Sequence, residues 1–363
     1  MHIKWANIFL DPETREAFSL DIKKREGNEV FEGAFISPEK KIYPVIKGIP
    51  RFVSDEFYNK ITGELASDAV QTGRSFGDKW QAEACKSLGY TEAERELFQE
   101  IFLSLLGCST LEDIFKIFEK AETCLDAGCG IGWADDLFNV NTRTKRVAVD
   151  ISLSVEVAYE RLKNIPNVLI AQADIFNLPF SEEYFDIIFS NGVIHHTPNP
   201  KEAFSILCKY LKPKGLIGVY IYNVKPFLRE IADKEIRKLT TQMSFDNCYN
   251  FSRQIAALGK ALQQIDQPLI VEEDIPLLNI NKGQHNLQKF IYDHFLKCFY
   301  NKKLGDEISE VTNVDWYHPK YASHHTREEI QGWFDENDIE NVRFIQPPGW
   351  EHSGYFVSGN KAK

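Results

Sequence analysis

From residue 123 onward, short apolar runs alternate with stretches whose apolar residues recur at helical spacing. The runs are Thr123–Cys129, Arg146–Ile151, Val168–Asp174, Phe185–Gly192 and Gly215–Tyr222. Several are almost continuously apolar, the pattern of strands buried on both faces of a parallel sheet. Between them, SVEVAYERLK and PKEAFSILCKYLK read as helices. Strand and helix alternating at this spacing predict an α/β fold, a doubly wound, Rossmann-like parallel sheet. Upstream, residues 1–55 break short strand-like runs with Pro, Gly and Asn, which predicts a small β module. Residues 56–122 turn helical, with AERELFQEIFLSLL and LEDIFKIFEK as the clearest periodic segments. Residues 224–315 interrupt the strand–helix rhythm with a mostly helical, charge-mixed insertion, placed where a lid over a substrate would sit. A helix then starts at the capping box of Thr326 and Glu329, and VRFIQP and YFVSG follow as the last strands. The sheet domain is thus expected over 123–223 and 316–363.

Composition narrows the class without naming a chemistry. A chain of 363 residues is long for one core, so two or three domains are expected. No stretch of roughly 18 apolar residues could span a bilayer, and the first residues lack the basic-then-apolar pattern of a signal peptide. The net charge of −11 disfavours a large electrostatic footprint for nucleic acid. A cytoplasmic enzyme without membrane attachment fits best. The seven cysteines are scattered, and no pair has a two-residue gap. Buried free thiols are the expectation, with disulfides as the alternative.

The strongest chemical signal is Leu125-Asp126-Ala127-Gly128-Cys129-Gly130-Ile131-Gly132, at the end of the first buried strand. Glycines there let the backbone turn sharply and approach a ligand. A dinucleotide fingerprint would need a third glycine where Trp133 stands, and no Gly-Lys-Ser/Thr ends the turn as in a P-loop. Asp126 would repel a pyrophosphate but suits an amino group, which S-adenosylmethionine carries at its amino-acid end. Asp150 ends the next strand, 20 positions after Gly130, where a carboxylate can accept both ribose hydroxyls. Asp174 ends the third strand. It can accept an adenine amino hydrogen while Ile175 packs on the ring.

These residues resemble the class I methyltransferases. The runs LDAGCGIG, VAVDIS, AQADIFNLPF, FDIIFSNGVIHHTPNP and LKPKGLIGVYIYN are most similar to the broad small-molecule branch that includes the ubiquinone/menaquinone C-methyltransferases. The resemblance covers about residues 120–223. It implies S-adenosylmethionine as cofactor, with Asp126, Gly128 and Gly130 around the methionine moiety. Asp150 and the neighbouring Ile151 would meet the ribose, Asp174 and Ile175 the adenine, and Asn191 the floor under the sulfonium. Ser75–Trp80 resembles the helix that covers the cofactor in related enzymes, so that Phe76 or Trp80 could shield the sulfonium; core packing is the competing reading. KIYPVIKGIPRFV is similar to the end of small zinc-ribbon modules of some RNA methyltransferases. No cysteine precedes Cys85, so a metal-free version is expected and no metal site is assigned.

The cofactor would supply the activation, leaving the protein to position a nucleophile and in some cases to take a proton. His196 and Tyr222 are the catalytic candidates. For His196, holding the loop or lining the pocket competes with a role as general base. A second cluster comprises Asp315–Pro319, His324-His325 and Trp350–His352. Its density of polar and aromatic groups suggests substrate contact by Tyr317, His318 and His352, with His195 beside them; aromatic anchoring of the lid is the alternative. The reading is transfer of a methyl group to an O, N or C atom of a small-molecule acceptor in biosynthetic tailoring. A tRNA or rRNA methyltransferase and a non-catalytic cofactor-binding or assembly protein are the alternatives. A homodimer stays open.

Overall fold

The computed structural model describes residues 1–54, 57, 67–82, 85, 88–137 and 143–363. One mixed sheet of eleven strands organises them. In chain order, the strands of its middle are β5 (Thr123–Ala127), β6 (Lys145–Asp150), β7 (Val168–Ala173), β8 (Phe185–Asn191) and β9 (Leu211–Tyr222). They lie in the spatial order β7-β6-β5-β8-β9, all parallel. Every position of β5 is buried, as its continuous apolar run requires of a strand covered on both faces. β9 begins four residues before the expected run, because Leu211 already pairs with Phe185 ahead of a register shift.

The chain runs outward from β5 through β6 to β7, then returns to place β8 on the other side of β5. That reversal opens a crevice at the carboxyl ends of β5 and β8, where open α/β sheets bind ligands. On the far side, β13 (Gly354–Lys361) pairs antiparallel with β9, and β12 (Ile339–Ile345) pairs with β13.

The N-terminal strands are not free-standing. β1 (Ser19–Glu26), β2 (Glu29–Ile36), β3 (Ile42–Ile46) and β4 (Ile49–Phe52) form an antiparallel meander. β4 then pairs in parallel with β7 through Arg51↔Gln172 and Phe52↔Ala173. The buried Arg51 guanidinium donates to Gln172 Oε1 at 2.8 Å and to Glu156 Oε1 at 2.9 Å. Phe9 packs on Phe35, Phe52 and Phe180 at centroid distances of 5.2, 4.7 and 5.7 Å, so one core spans the meander and the parallel sheet. Among the described residues, no group of three or more His, Cys, Asp or Glu is placed to hold a metal. The seven cysteines are all free thiols.

Helices cover both faces. Among the described residues, the first three are α1 (Asp68–Gln81), α2 (Glu92–Leu106) and α3 (Leu111–Lys120); α2 and α3 start from capping boxes, Thr91 with Glu94 and Thr110 with Asp113. The short α4 (Trp133–Leu137) follows the glycine turn. α5 (Ser154–Leu162) and α6 (Pro200–Tyr210) are crossover helices, α6 with Asn199 as cap and Pro200 at its first position. The insertion contains α7 (Phe227–Thr240), α8 (Phe245–Gln263), a hairpin of β10 (Leu269–Val271) and β11 (Gly283–His285), and α9 (Leu287–His294). Its last helix, α10 (Gly305–Tyr317), runs two residues past the expected boundary. The insertion has its own small core of Cys248, Ile255, Cys298, Trp316 and Tyr317. α11 (Arg327–Glu336) starts from the expected Thr326–Glu329 capping box. No described helix is long and apolar enough to cross a membrane.

Candidate functional site

A cavity of about 330 Å³ opens at the carboxyl ends of the parallel strands. The glycine turn, Asp150 and Asp174 form one wall, α1 the roof, and β9 with α10 the far end. Gly128 sits at φ 88°, a left-handed conformation that penalises side chains, and a Cβ there would lie 2.3 Å from Val193 Cγ2. The turn needs glycine for both its backbone and its space. The Gly128 and Cys129 N–H groups donate to Val149 O at 2.8 and 2.9 Å, folding the turn back over β6.

That fold brings Gly130 to Asp150. The Gly130 N–H donates to Asp150 Oδ2 at 2.9 Å and the Ser152 N–H to Oδ1 at 2.8 Å. Two backbone donors therefore fix a carboxylate on the cavity wall, with Ile151 beside it. Asp174 caps the single turn of Ile175–Asn177, its Oδ1 accepting from Phe176 N–H at 2.9 Å. Burial pushes its carboxyl above the usual range, against that hydrogen bond. Asn191 at the end of β8 completes this wall.

Asp126 does not line the cavity. It lies beneath the turn, 5% exposed, next to the buried Asp135 of α4. Burial first, then the charges of Asp135 and Asp150, push its carboxyl well above the usual range. Arg146 offsets the charge of Asp135, at 3.6 Å from Oδ1 and with a hydrogen bond to the backbone oxygen at 2.7 Å.

The roof carries Phe76, Lys79 and Trp80. The Trp80 ring lies 3.1 Å from where a Gly130 Cβ would stand, so the aromatic lies directly on the turn. Phe76 meets His196 edge to face at 4.9 Å. His196 Nδ1–H donates to Tyr321 O at 2.6 Å, which leaves Nε2 as a neutral acceptor. Burial pushes this imidazole down to about 3, so it is a poor proton acceptor at neutral pH and a good positioning group.

The far end is aromatic. Tyr220, Tyr222, Phe98, Trp133 and Trp350 line it, with Phe98 and Trp133 stacked at 4.4 Å. Burial raises both tyrosines, so their phenols are donors. Among them stands an ion pair that sequence reading missed. Lys79 Nζ of α1 lies 2.6 Å from Asp315 Oδ2 of α10 and 3.5 Å from the Trp80 ring centroid. Burial raises the Asp315 carboxyl, while Lys79 and then Lys297 favour its ionised form. Nothing in the local pattern pairs residues 236 positions apart. The one available signal was a lysine preceding Trp80.

Four residues expected at the substrate do not reach the cavity wall. His195 is fully buried, stacked on Tyr222 at 3.7 Å, and accepts from the Tyr222 N–H at 3.4 Å. The Tyr317 hydroxyl donates to Lys297 O at 2.9 Å inside the insertion. His318 accepts from the Ser75 hydroxyl at 2.7 Å and donates to Met243 O at 3.2 Å, tying α1 to the insertion. His352 lies against His294 at 5.4 Å, and its carbonyl accepts from Lys225 at 2.8 Å. Partners in the backbone and in the insertion satisfy the hydrogen-bonding groups of Tyr317 and His318.

Residues 125–219 match the family model described as a methyltransferase domain. The chain is 25% identical over 237 residues to phosphoethanolamine N-methyltransferase 1 of Arabidopsis thaliana, covering 62% of this chain and 46% of that protein. It is 30% identical over 105 residues to sterol 24-C-methyltransferase of Pneumocystis carinii (strain B80), covering 28% of each. The chain spans less than half the length of these relatives. Among solved structures, phosphoethanolamine N-methyltransferase 2 of Haemonchus contortus in complex with S-adenosyl-L-methionine superposes with a TM-score of 0.39 at 14% identity. That superposition covers 79% of this chain and 60% of the other.

Proposed function

We propose that this chain is a class I methyltransferase that carries a methyl group from S-adenosylmethionine to a small molecule held beneath α1 and the lid. One observation carries the reading: the Gly128–Gly130 turn, the doubly held Asp150 and Asp174 share a single cavity with two tyrosines and a buried ion pair. The residues suit the cofactor. Gly128, at φ 88° and packed against Val193, lets the turn fold tightly at the cavity edge. Asp150 would take the ribose hydroxyls, with Ile151 beside it. Asp174 and Ile175 would take the adenine.

Bound there, S-adenosylmethionine supplies a methyl group already activated on a sulfonium. The chain's own part is to hold and enclose. Phe76 and Trp80 cover the turn and exclude water. Tyr220 and Tyr222, kept protonated by burial, orient the acceptor as hydrogen-bond donors. Asp315 is the wall group suited to receive a proton from it, since burial raises its carboxyl above the usual range even with Lys79 beside it. His196, fixed through Tyr321, offers a lone pair for alignment.

The named relatives act on acceptors as different as phosphoethanolamine and a sterol, so this cavity's own wall must choose the acceptor. A concave cavity lined by aromatic side chains favours a small molecule over a base in folded RNA. The test is methyl-labelled S-adenosylmethionine incubated with protein and host extract, followed by separation into small-molecule and RNA/protein fractions. Label in the small-molecule fraction is expected. Label confined to RNA would overturn the choice of acceptor, and failure to bind S-adenosylmethionine in calorimetry would overturn the whole reading.

A further inference from the structure

The far end of the cavity is built from two groups of aromatic rings. In one, Phe98 of α2 stacks on Trp133 of α4 at 4.4 Å, with an interplanar angle of 22°. In the other, Tyr220 of β9 lies against Phe356 of β13 at 4.5 Å. Trp350, in the loop between β12 and β13, stands edge to face on both, at 5.9 and 5.4 Å. All five rings line the cavity. They come from two helices, two strands and a loop, so no single periodic segment accounts for them. Rings so placed offer faces and edges to a flat guest, which gains from them more than its buried area alone would give.

The charges on the wall point the same way. Among the described residues, the cavity is lined by three acids, Asp150, Asp174 and Asp315, and by one cation, Lys79. Asp150 and Asp174 stand at the cofactor end in the reading above. Away from them, Lys79 Nζ lies 2.6 Å from Asp315 Oδ2 and 3.5 Å from the Trp80 ring centroid, so its charge is already balanced. Asp315 Oδ1 has no donor, and burial keeps His196 neutral. A phosphate or carboxylate brought here would meet no uncompensated cation of the described wall and would lose water beside Asp315, which is costly. A neutral hydroxyl can instead accept from the phenols of Tyr220 and Tyr222, and a protonated amine is drawn to Asp315 and to the ring faces.

We propose that the methyl acceptor is an aromatic compound without a phosphate or carboxylate, its ring seated among these five side chains. This rests on the methyltransferase reading above and narrows its small molecule to one class. The test saturates the 363-residue chain with S-adenosylhomocysteine at neutral pH. It is then titrated with three compounds that share one ring and differ in charge: tyramine, tyrosol and para-hydroxyphenylacetate. Calorimetry reads the affinities. Saturable binding of tyramine or tyrosol is expected, with the acid weaker by roughly tenfold or more. Tighter binding of tyramine would assign a cationic acceptor, and tighter binding of tyrosol a neutral one. Trp350→Ala should weaken the ring compounds by roughly fivefold, and Trp350→Phe should restore most of the loss. Asp315→Asn should narrow the gap between the acid and the tighter of the other two by roughly tenfold, since it leaves Lys79 unbalanced. An acid that binds as tightly as the others, no saturable binding of the ring compounds, or an unchanged gap in Asp315→Asn would overturn the proposal. Failure of the wild type to bind S-adenosylhomocysteine would instead overturn the reading on which it rests.

Discussion

Asp126 and Asp150 end adjacent strands but have opposite tasks. Asp150 is presented to the cavity by two backbone N–H groups. Asp150→Ala should therefore weaken S-adenosylmethionine binding by about 1.5–3 kcal/mol, the scale of a hydrogen bond to a charged group, as read by calorimetry. Unchanged affinity would mean that the ribose lies elsewhere. Asp126 is buried beneath the turn with its carboxyl pushed up by burial and by Asp135. A native state that holds this proton more tightly than the unfolded chain loses stability as pH rises from the ordinary carboxylate range through the raised value. Asp126→Asn should remove that loss, raising the melting temperature of the ligand-free protein at neutral pH. The same change should weaken binding of a ligand that carries an ammonium. Both effects in the same direction would refute the assignment. The glycine turn, Asp150 and Asp174 were legible because each ends a strand that announces itself by its apolar run. Asp126 was legible in identity but not in depth, since no pattern separates a wall carboxylate from one lying beneath it.

At the scale of elements, α1 and α10 meet through Lys79 and Asp315, and again through Ser75 and His318. The pair is buried on the lysine side and partly open to the cavity on the aspartate side. Lys79→Met should cost about 2–3 kcal/mol, below the usual penalty for orphaning a buried charge because Asp315 retains some access to solvent. Urea denaturation measures the loss, and limited proteolysis should show faster cleavage within residues 224–315. Unaltered proteolysis would mean that the pair does not fasten the lid. This latch was invisible in sequence for a physical reason: its partners lie on helices far apart in the chain. The density of aromatic and histidine residues near 315–325 and 350–352 was visible. Density alone does not say which rings face a cavity and which pack against their own backbone, and for Tyr317, His318 and His352 packing prevailed.

At the scale of the molecule, the meander and the parallel sheet share strands and a core. Pro and Gly breaks in residues 1–55 predict short strands, but the sequence offers no sign that β4 pairs with β7, because parallel pairing leaves no local turn signal. Phe9 is 1% exposed and joins the two regions. Phe9→Ala should lower the stability of a single unfolding transition by about 3–5 kcal/mol. A separate early transition in calorimetry would show that the meander unfolds as its own unit.

The position of β13 has a consequence for how the chain is made. Although it is the last strand in chain order, it lies inside the sheet, between β9 and β12. During synthesis β9 is complete at residue 222, while its partner ends only at residue 361. At ribosomal speeds that interval is roughly 7–28 s, and throughout it the hydrogen-bonding edge of β9 lies bare. An open, apolar strand edge invites pairing with a foreign strand. The nascent protein is therefore most exposed to aggregation while the lid is being translated, and chaperones that bind extended apolar segments should be recruited to it in that window.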